Sequence, residues 1–265
     1  MLKKYSAIIS AHWQRVLTYR TTVVAYRMGE IMEGLVILLM WVAIFKNQTV
    51  VQGFTLPEMI TYILIGNIVR VATRNFMPTA MARDIKEGLL SSYLVKPMTY
   101  FSYTMARELG RVIFALTLSL GSQLVVVLFF KGLIVWNADP KYIAIIFVMT
   151  VLAFIGELLL SYLVGCIAFW TDEVDGVYET IYKLKRFFAG EYFPLSFLPS
   201  ALAQASYFLP FAYSFFVPAQ LYLKKIDLSV GLQGIGVQIV WIILLYGLVQ
   251  VVWKRGLKKY EGVGA

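Results

Sequence analysis

Long apolar runs alternate with short polar segments along this chain, and the alternation predicts several membrane-spanning helices. A helix needs about 20 predominantly apolar residues to cross the hydrocarbon core of a bilayer. Five stretches approach that description, at about residues 29–45, 58–80, 112–130, 142–170 and 230–253. One more crossing is expected between the fourth and the last of them. We therefore predict an all-α membrane protein with six transmembrane helices.

The segment that should hold the fifth crossing has no clean apolar run, and two interpretations are open. One makes TDEVDGVYETIYKLKR a cytoplasmic loop and begins the fifth span at Phe187. The other begins the span near Asp175 and ends it at Gly190. Under the second interpretation, three cations lie at membrane depth: Lys183, Lys185 and Arg186.

Prolines are dense after this fifth crossing, at Pro194, Pro199, Pro210 and Pro218. A proline inside a helix removes a backbone hydrogen bond and kinks or breaks the helix, so one straight helix cannot hold all four. Broken helices at membrane depth persist only where they are buried in protein or line a wet cavity. We therefore expect a re-entrant helical hairpin on the outer side of the membrane.

The first 28 residues mix apolar and basic positions too finely to span a bilayer. They are typical of an amphipathic helix at the cytoplasmic membrane surface, with Trp13 at the headgroups and Arg15, Arg20 and Arg27 facing anionic lipid. This gives three parts: an interfacial helix over residues 1–28, a transmembrane domain over 29–253 and a basic cytoplasmic tail over 254–265.

Composition and charge agree with a membrane protein. The chain is 60% hydrophobic with mean hydropathy +0.73, against roughly 45–50% apolar residues in an average soluble domain. The net charge of +9 does not indicate nucleic-acid binding, because the basic residues flank apolar spans. Residues 1–30, 81–111 and 254–265 hold five, five and four Lys or Arg, against five on the opposite side, which predicts cytoplasmic termini.

The sequence carries no recognisable catalytic or metal-binding motif. It contains no GxxxxGK[ST] loop for nucleotide phosphates and no HExxH zinc motif. His12 is the only histidine, and Cys166, the only cysteine, cannot form an intrachain disulfide or a cysteine-rich metal site. We expect no enzymatic activity and no cofactor in this chain.

The polar connection after the second span, residues 83–111, forms a charged amphipathic platform suited to a soluble partner. Within it, DIKEGLLSSYLVKP resembles the cytoplasmic coupling segment of ABC-2 type permeases. The resemblance implies that this segment docks an ATPase through ten residues: Asp84, Ile85, Lys86, Glu87, Gly88, Leu89, Leu90, Tyr93, Leu94 and Pro97.

A second stretch, GEYFPLSFLPSALAQASYFLPF at residues 190–211, is similar to the segment of that family in which re-entrant helices cap the outer side. The early RTTVVAYR and the tail RGLKKYEGVGA resemble one bacterial branch of the family. The implied outer gate contains Gly190, Pro194, Pro199 and Pro210.

The resemblance implies an exporter in the cell inner membrane, built from two permeases and two separately encoded ATPases. ATP and Mg would bind to those ATPase subunits, and membrane lipid would surround the permeases. The second permease is expected to be identical or homologous. Lipids, glycans, drugs or peptides would be the substrates.

The KLKR run departs from the family, where the fifth span is usually apolar. Charges at the bilayer centre face a cavity or a partner, because each costs at least about 2.5–3.5 kcal/mol to insert. Together with Arg70 and Arg74, which share one helix face, these three cations could line a basic pathway for an anionic substrate. In the alternative, KLKR is a cytoplasmic loop, Arg74 reaches inward to the cytoplasm and Arg70 pairs with an acid such as Glu157.

Two other functions are open. An ion-coupled secondary transporter could use Glu157, Arg70 and Arg74 as a proton relay, but the internal repeats typical of that class are not visible. A non-transporting membrane assembly factor would need neither a relay nor an ATPase.

Overall fold

A computed structural model describes residues 8–10, 13–14, 18, 20–171 and 173–260. This part of the chain is helical apart from one small antiparallel hairpin, so the predicted all-α class is confirmed. The elements in chain order are α1 Arg20–Ile44, β1 Val50–Val51, β2 Phe54–Thr55, α2 Leu56–Thr73, α3 Met77–Lys86, α4 Leu90–Leu94, α5 Tyr100–Phe130, α6 Pro140–Gly165, α7 Val174–Ala189, α8 Ser200–Phe208, α9 Phe216–Tyr222 and α10 Leu228–Lys259.

The molecule has two distinct ends. At the hairpin end, the loops beside β1 and β2 meet the α9–α10 turn, where the Lys225 ammonium lies 2.8 Å from the Glu58 carboxylate. At the α4 end, α3 meets the beginning of α7, and the Thr79 hydroxyl donates to Asp175 over 2.9 Å. These contacts fix which ends of the long helices lie together.

Two helices are long and apolar enough to cross a bilayer by length and composition, among the residues that the structure describes. They are Pro140–Phe169, which is α6 with its 3-10 extension, and Leu228–Lys259. The two pack side by side, and the Gln238 amide donates to the Met149 carbonyl over 3.1 Å. The other helices are shorter or carry charges within them, so the count of six crossings stays a prediction.

The start of α6 follows from its sequence. Asp139 is the N-cap and its side chain accepts from the Lys141 backbone N–H over 3.1 Å, while Pro140 occupies the first turn, where its missing N–H is tolerated. A hydrogen bond from Lys224 lowers the pKa of Asp139 below its usual value. The cap is therefore ionised at neutral pH.

Near the N-terminus, helix α1 begins at Arg20 and runs without a break through the boundary predicted at residues 28 and 29. Upstream, the Trp13 indole donates to the Gly110 carbonyl over 3.2 Å and packs edge-on against Phe114, so this stretch contacts α5. Three arginines were predicted to face anionic lipid, and their side chains lie outside the described part of the structure: Arg15, Arg20 and Arg27. His12 also lies outside it.

The second predicted span is shorter than expected. The apolar run suggested a helix over residues 58–80, but α2 ends at Thr73 and α3 begins at Met77. The Asn75 side chain accepts from the Met77 backbone N–H over 3.2 Å, and Pro78 occupies the first turn of α3. The prediction of one continuous helix is wrong because these two residues begin a new one.

Helix α7 agrees with the second interpretation of the fifth crossing, since it spans Val174–Ala189 and contains KLKR. It ends at Gly190, whose φ of +79° is left-handed and favours glycine. The Tyr62 hydroxyl donates to the Gly190 carbonyl over 2.6 Å and ties this end of α7 to α2.

The segment after α7 enters the bundle and returns to the same end. Phe197 packs against Trp41 and Phe54 at the hairpin end. Farther along, the Trp241 indole donates to the Phe208 carbonyl over 3.0 Å. Trp241 lies 13 residues into α10, a depth of roughly 20 Å at about 1.5 Å per residue. Helix α9 then brings the chain back to the hairpin end, so residues 200–222 turn back within the bundle. The re-entrant hairpin on the outer side of a membrane stays a prediction.

Candidate functional site

A buried ion pair joins α6 to α7. The Lys185 ammonium lies 2.7 Å from the Glu157 carboxylate, and the two side chains are only 7% and 11% exposed. Glu157 lies 17 residues after Pro140, roughly 26 Å along the helix at about 1.5 Å per residue. The pair therefore lies near the middle of a candidate membrane span.

The neighbouring Arg186 connects three segments of the chain. Its Nη2 lies 2.6 Å from Glu33 of α1, and its Nε lies 2.7 Å from Glu191, just after α7. Its guanidinium also lies over the Tyr192 ring, 4.7 Å from the centroid. Arg186 thus holds the end of α7 against α1.

Arg70 of α2 completes this cluster. Its Nε and Nη2 donate to the Asn67 side-chain carbonyl over 3.0 and 2.6 Å. Its Nη1 lies 3.8 Å from Glu33 and has no hydrogen-bond partner in the described part of the chain. Arg74 lies nearby, with its guanidinium 5.6 Å from the centroid of the Tyr182 ring.

Four of the five predicted pathway cations therefore lie in one region of the bundle: Arg70, Arg74, Lys185 and Arg186. The fifth, Lys183, is exposed on another part of α7. The alternative that KLKR forms a loop is wrong, because the run is helical. The alternative paired Arg70 with an acid such as Glu157; the acid beside Arg70 is Glu33, and Glu157 pairs with Lys185.

The sequence analysis missed Glu33, Glu191 and Asn67 as members of this cluster. A signal for the two acids was present, because cations at membrane depth require counter-ions and acids are scarce in the apolar stretches. Which acids pair with these cations depends on how the helices are placed relative to one another, and the sequence does not determine that placement.

A cavity of about 80 Å³ opens beside these charges, between α1, α2, α5 and α7. Arg70, Asn67 and Arg186 line its polar side. Aliphatic side chains such as Leu35 and Leu64 line the rest. The cavity is therefore amphipathic.

The predicted coupling residues divide into a buried and an exposed set. Asp84, Ile85 and Leu90 are buried, and the Asp84 carboxylate accepts from the Tyr100 hydroxyl over 2.7 Å. A partner cannot reach these three side chains directly, which corrects the prediction that all ten form the surface. They instead anchor the segment to α5 and the core.

The remaining part of that segment faces outward. Leu89 and Leu94 are exposed, as are Lys86, Glu87 and Pro97, while Gly88 and Tyr93 are half-buried. Val95, which the sequence analysis did not single out, is 85% exposed. Gly88 makes the turn between α3 and α4 with a left-handed φ of +73°.

Aromatic contacts fix α4 against α5. The Tyr93 ring packs edge-on against Tyr100 with centroids 5.4 Å apart, and its hydroxyl donates to Tyr103 over 3.2 Å. Burial and this hydrogen bond raise the pKa of Tyr93 above its usual value. The hydroxyl is therefore neutral at physiological pH and keeps its donor.

The four predicted gate residues lie at different depths. Gly190 ends α7, Pro194 precedes the 3-10 turn Leu195–Phe197, and Pro199 precedes α8. Pro210 begins the 3-10 turn at the deep end of the hairpin and lines a cavity of about 30 Å³ that Glu157 also lines. The structure therefore does not gather these four residues at one surface.

Comparison with known proteins identifies the family of this chain. A family model described as "ABC-2 family transporter protein" matches residues 31–264, well over half of the chain. A comparison with curated proteins gives no match. With its apolar helices, the chain belongs to the ABC-2 family of transporter proteins, as a membrane permease that is not itself catalytic.

Proposed function

We propose that this chain is the permease subunit of an ATP-driven exporter in the cell membrane, with six transmembrane helices. It pairs with a second permease, identical or homologous, and with two separate ATPase subunits that bind ATP and Mg. Membership of the ABC-2 family supports this function, and so does the lack of a phosphate-binding loop in the sequence.

The α4 end faces the cytoplasm in this proposal, and the hairpin end faces outward. The excess of Lys and Arg in residues 1–30, 81–111 and 254–265 supports this orientation. Both termini are then cytoplasmic, and the re-entrant hairpin α8–α9 opens toward the outside.

The ATPase docks on the exposed part of residues 83–97. The observation that carries this assignment is the 85% exposure of Val95, beside Leu89 and Leu94, on a segment anchored by three buried residues. An exposed apolar cluster on a polar, rigidly held connection is typical of a protein-interaction site. The hydrogen bond between Asp84 and Tyr100 links this segment to α5, so movement of the ATPase would be transmitted to that helix.

The substrate path runs beside the cluster of Arg70, Arg74, Lys185 and Arg186, and an anionic lipid, glycan or amphiphile is the expected cargo. Because Arg186 contacts α1 and the segment after α7 together, opening this region requires its ion pairs to rearrange. The proposal that two permeases pair is supported by family membership alone.

Copurification tests this function. Val95→Asp should reduce recovery of an ABC-type ATPase with the tagged permease about tenfold or more, the effect of losing about 1.4 kcal/mol of binding free energy. Val50→Asp is the matched control, because Val50 is also exposed but lies at the hairpin end. Equal recovery of the ATPase with both variants would show that it does not dock at Val95. Absence of any ATPase would favour a secondary transporter or an assembly factor.

A further inference from the structure

The cavity of about 30 Å³ lies where three segments of the chain meet. Its walls are formed by α6, by the 3-10 turn Pro210–Ser214 and by α10. Most of the lining is apolar, but three polar side chains also belong to it: Glu157, Ser214 and Gln238. The cavity therefore joins a buried carboxylate to the segment that turns back within the bundle.

The Gln238 side chain brings a buried hydrogen-bond acceptor to this cavity. Gln238 is only 2% exposed, and its Oε1 has no hydrogen-bond partner within the described part of the chain. Its Nε2 donates to the carbonyls of Met149 and Tyr213 over 3.1 and 3.4 Å. Exchanging the two amide atoms would set an oxygen against these two carbonyl oxygens, so the neighbours determine the orientation of the amide. Because buried polar groups are nearly always satisfied, a donor from outside the chain fits beside Oε1.

The other two polar side chains of the lining also act as acceptors. The Glu157 Oε1 accepts from the Lys185 ammonium over 2.7 Å, and the described contacts of Glu157 leave its Oε2 without a hydrogen bond. The Ser214 hydroxyl donates its proton to the Phe211 carbonyl over 2.7 Å, so a further hydrogen bond to this oxygen must come from a donor. A molecule in this cavity must therefore supply protons.

Size and charge narrow the nature of this donor. A bound water needs about 10–15 Å³ of cavity volume and roughly two to four polar partners, so this cavity has room for about two waters. A bound cation would add a positive charge where Lys185 already matches the charge of Glu157, and an uncompensated buried charge is costly. An apolar chain would leave the Gln238 Oε1 without a donor. Water is neutral, small enough and able to donate twice.

We propose that about two water molecules bind in this cavity as a fixed part of the structure. They donate to the Gln238 Oε1 and link it by hydrogen bonds to the Glu157 carboxylate, and a bridging water is nearly as favourable as a direct hydrogen bond. Among the described residues, Lys185 is not part of the lining, so its charge still depends on Glu157. Binding of these waters requires neither an ATPase nor a cargo, so the site goes beyond the proposed function.

An experimental structure of the full-length permease, at a resolution that shows ordered water, tests the proposal directly. We expect rounded density in the cavity within hydrogen-bonding distance of the Gln238 Oε1. An empty cavity would overturn the proposal. So would the elongated density of a detergent or lipid chain, because that occupant cannot donate to Oε1.

Radiolytic labelling in ¹⁸O-labelled water is a second readout, because hydroxyl radicals formed from a bound water oxidise the side chains beside it. Leu245 lines the cavity and is 7% exposed. Leu159 is the matched control, since it is also buried, at 3% exposed, and lies outside this cavity. We expect several-fold more labelling at Leu245 than at Leu159. Equal labelling of the two leucines would contradict a bound water.

A variant connects this labelling to the acceptor. Gln238→Met removes Oε1 and should lower the labelling of Leu245 several-fold, towards the level of Leu159. Gln220→Met is the matched control, because Gln220 is another buried glutamine and lies outside the cavity, so labelling of Leu245 should not change. Undiminished labelling in Gln238→Met would contradict the assignment of Oε1 as the acceptor. If Gln238→Met fails to fold, the wild-type density and the wild-type ratio of labelling still decide.

Discussion

The Lys185–Glu157 pair is the residue-scale contact that most directly joins α7 to the apolar helix α6. Its atoms are 2.7 Å apart and both side chains are largely buried. Neither charge can be satisfied by bulk water there, so each depends on the other. Breaking a buried pair by removing one partner is far more costly than replacing both.

We predict that Glu157→Gln destabilises the permease by about 3–5 kcal/mol, because it leaves the Lys185 charge uncompensated. The apparent unfolding temperature in detergent measures this loss. The double variant Glu157→Leu with Lys185→Met should recover most of it by removing both charges. An unchanged unfolding temperature for Glu157→Gln would mean that water reaches Lys185.

At this scale the sequence predicted that these cations lie in the helix that ends at Gly190, but it did not predict their partners. Periodicity and the position of Gly190 placed Lys185 and Arg186 in a helix, and the structure has them there. The contact between Arg186 and Glu33 joins residues 153 positions apart. Local pattern carries no information on which helix faces meet, so that partner could not be chosen.

Close packing at the element scale depends on a few small residues. Helix α2 meets the re-entrant segment at Gly66, where a Cβ would overlap the Phe215 ring. Phe215 is buried and also packs edge-on against Tyr62, with centroids 5.5 Å apart. The ring has no room to withdraw without disturbing that contact.

We predict that Gly66→Ala destabilises the permease by about 1–3 kcal/mol, because overpacking displaces the Phe215 ring. Gly121→Ala is the matched control: a Cβ at Gly121 meets nothing within 4 Å, and alanine favours a helix over glycine. Thermal unfolding of both variants in one detergent measures the difference. Equal stability would show that α2 and the re-entrant segment are not in close contact.

Elements with a strong backbone signal were predictable, and those defined by side-chain contacts were not. The prolines after Gly190 predicted that no single straight helix follows, because proline removes a backbone donor wherever it occurs, and the structure has short helical segments there. The break in α2 at Asn75 was missed, since a single side chain bonded to the Met77 backbone ends one helix and begins the next. Burial of Leu90 was missed because an amphipathic pattern does not reveal which face packs on the core.

At the scale of the whole molecule, the two ends of the bundle carry different chemistry. The hairpin end is built from short loops tied by single ion pairs, such as Lys225 with Glu58. The α4 end presents an exposed segment rich in both charged and apolar residues. The distribution of Lys and Arg predicts that the α4 end is cytoplasmic.

Cysteine labelling of intact cells tests this orientation. We predict that an impermeant thiol reagent labels single cysteines at Gln48 and Ala138, which are exposed at the hairpin end, and not one at Val95. The native Cys166 is fully buried and provides an unreactive background. Labelling at Val95 with protection of the other two sites would reverse the orientation.

The most direct test of the central claim is the rate of ATP hydrolysis by the copurifying ATPase in liposomes, with and without this permease. Coupling through residues 83–97 predicts a rate several-fold different when the permease is present. Val95→Asp should abolish that difference, and Val50→Asp should preserve it. A rate that is the same with and without the permease would contradict the account of this chain as the membrane half of an ATP-driven transporter.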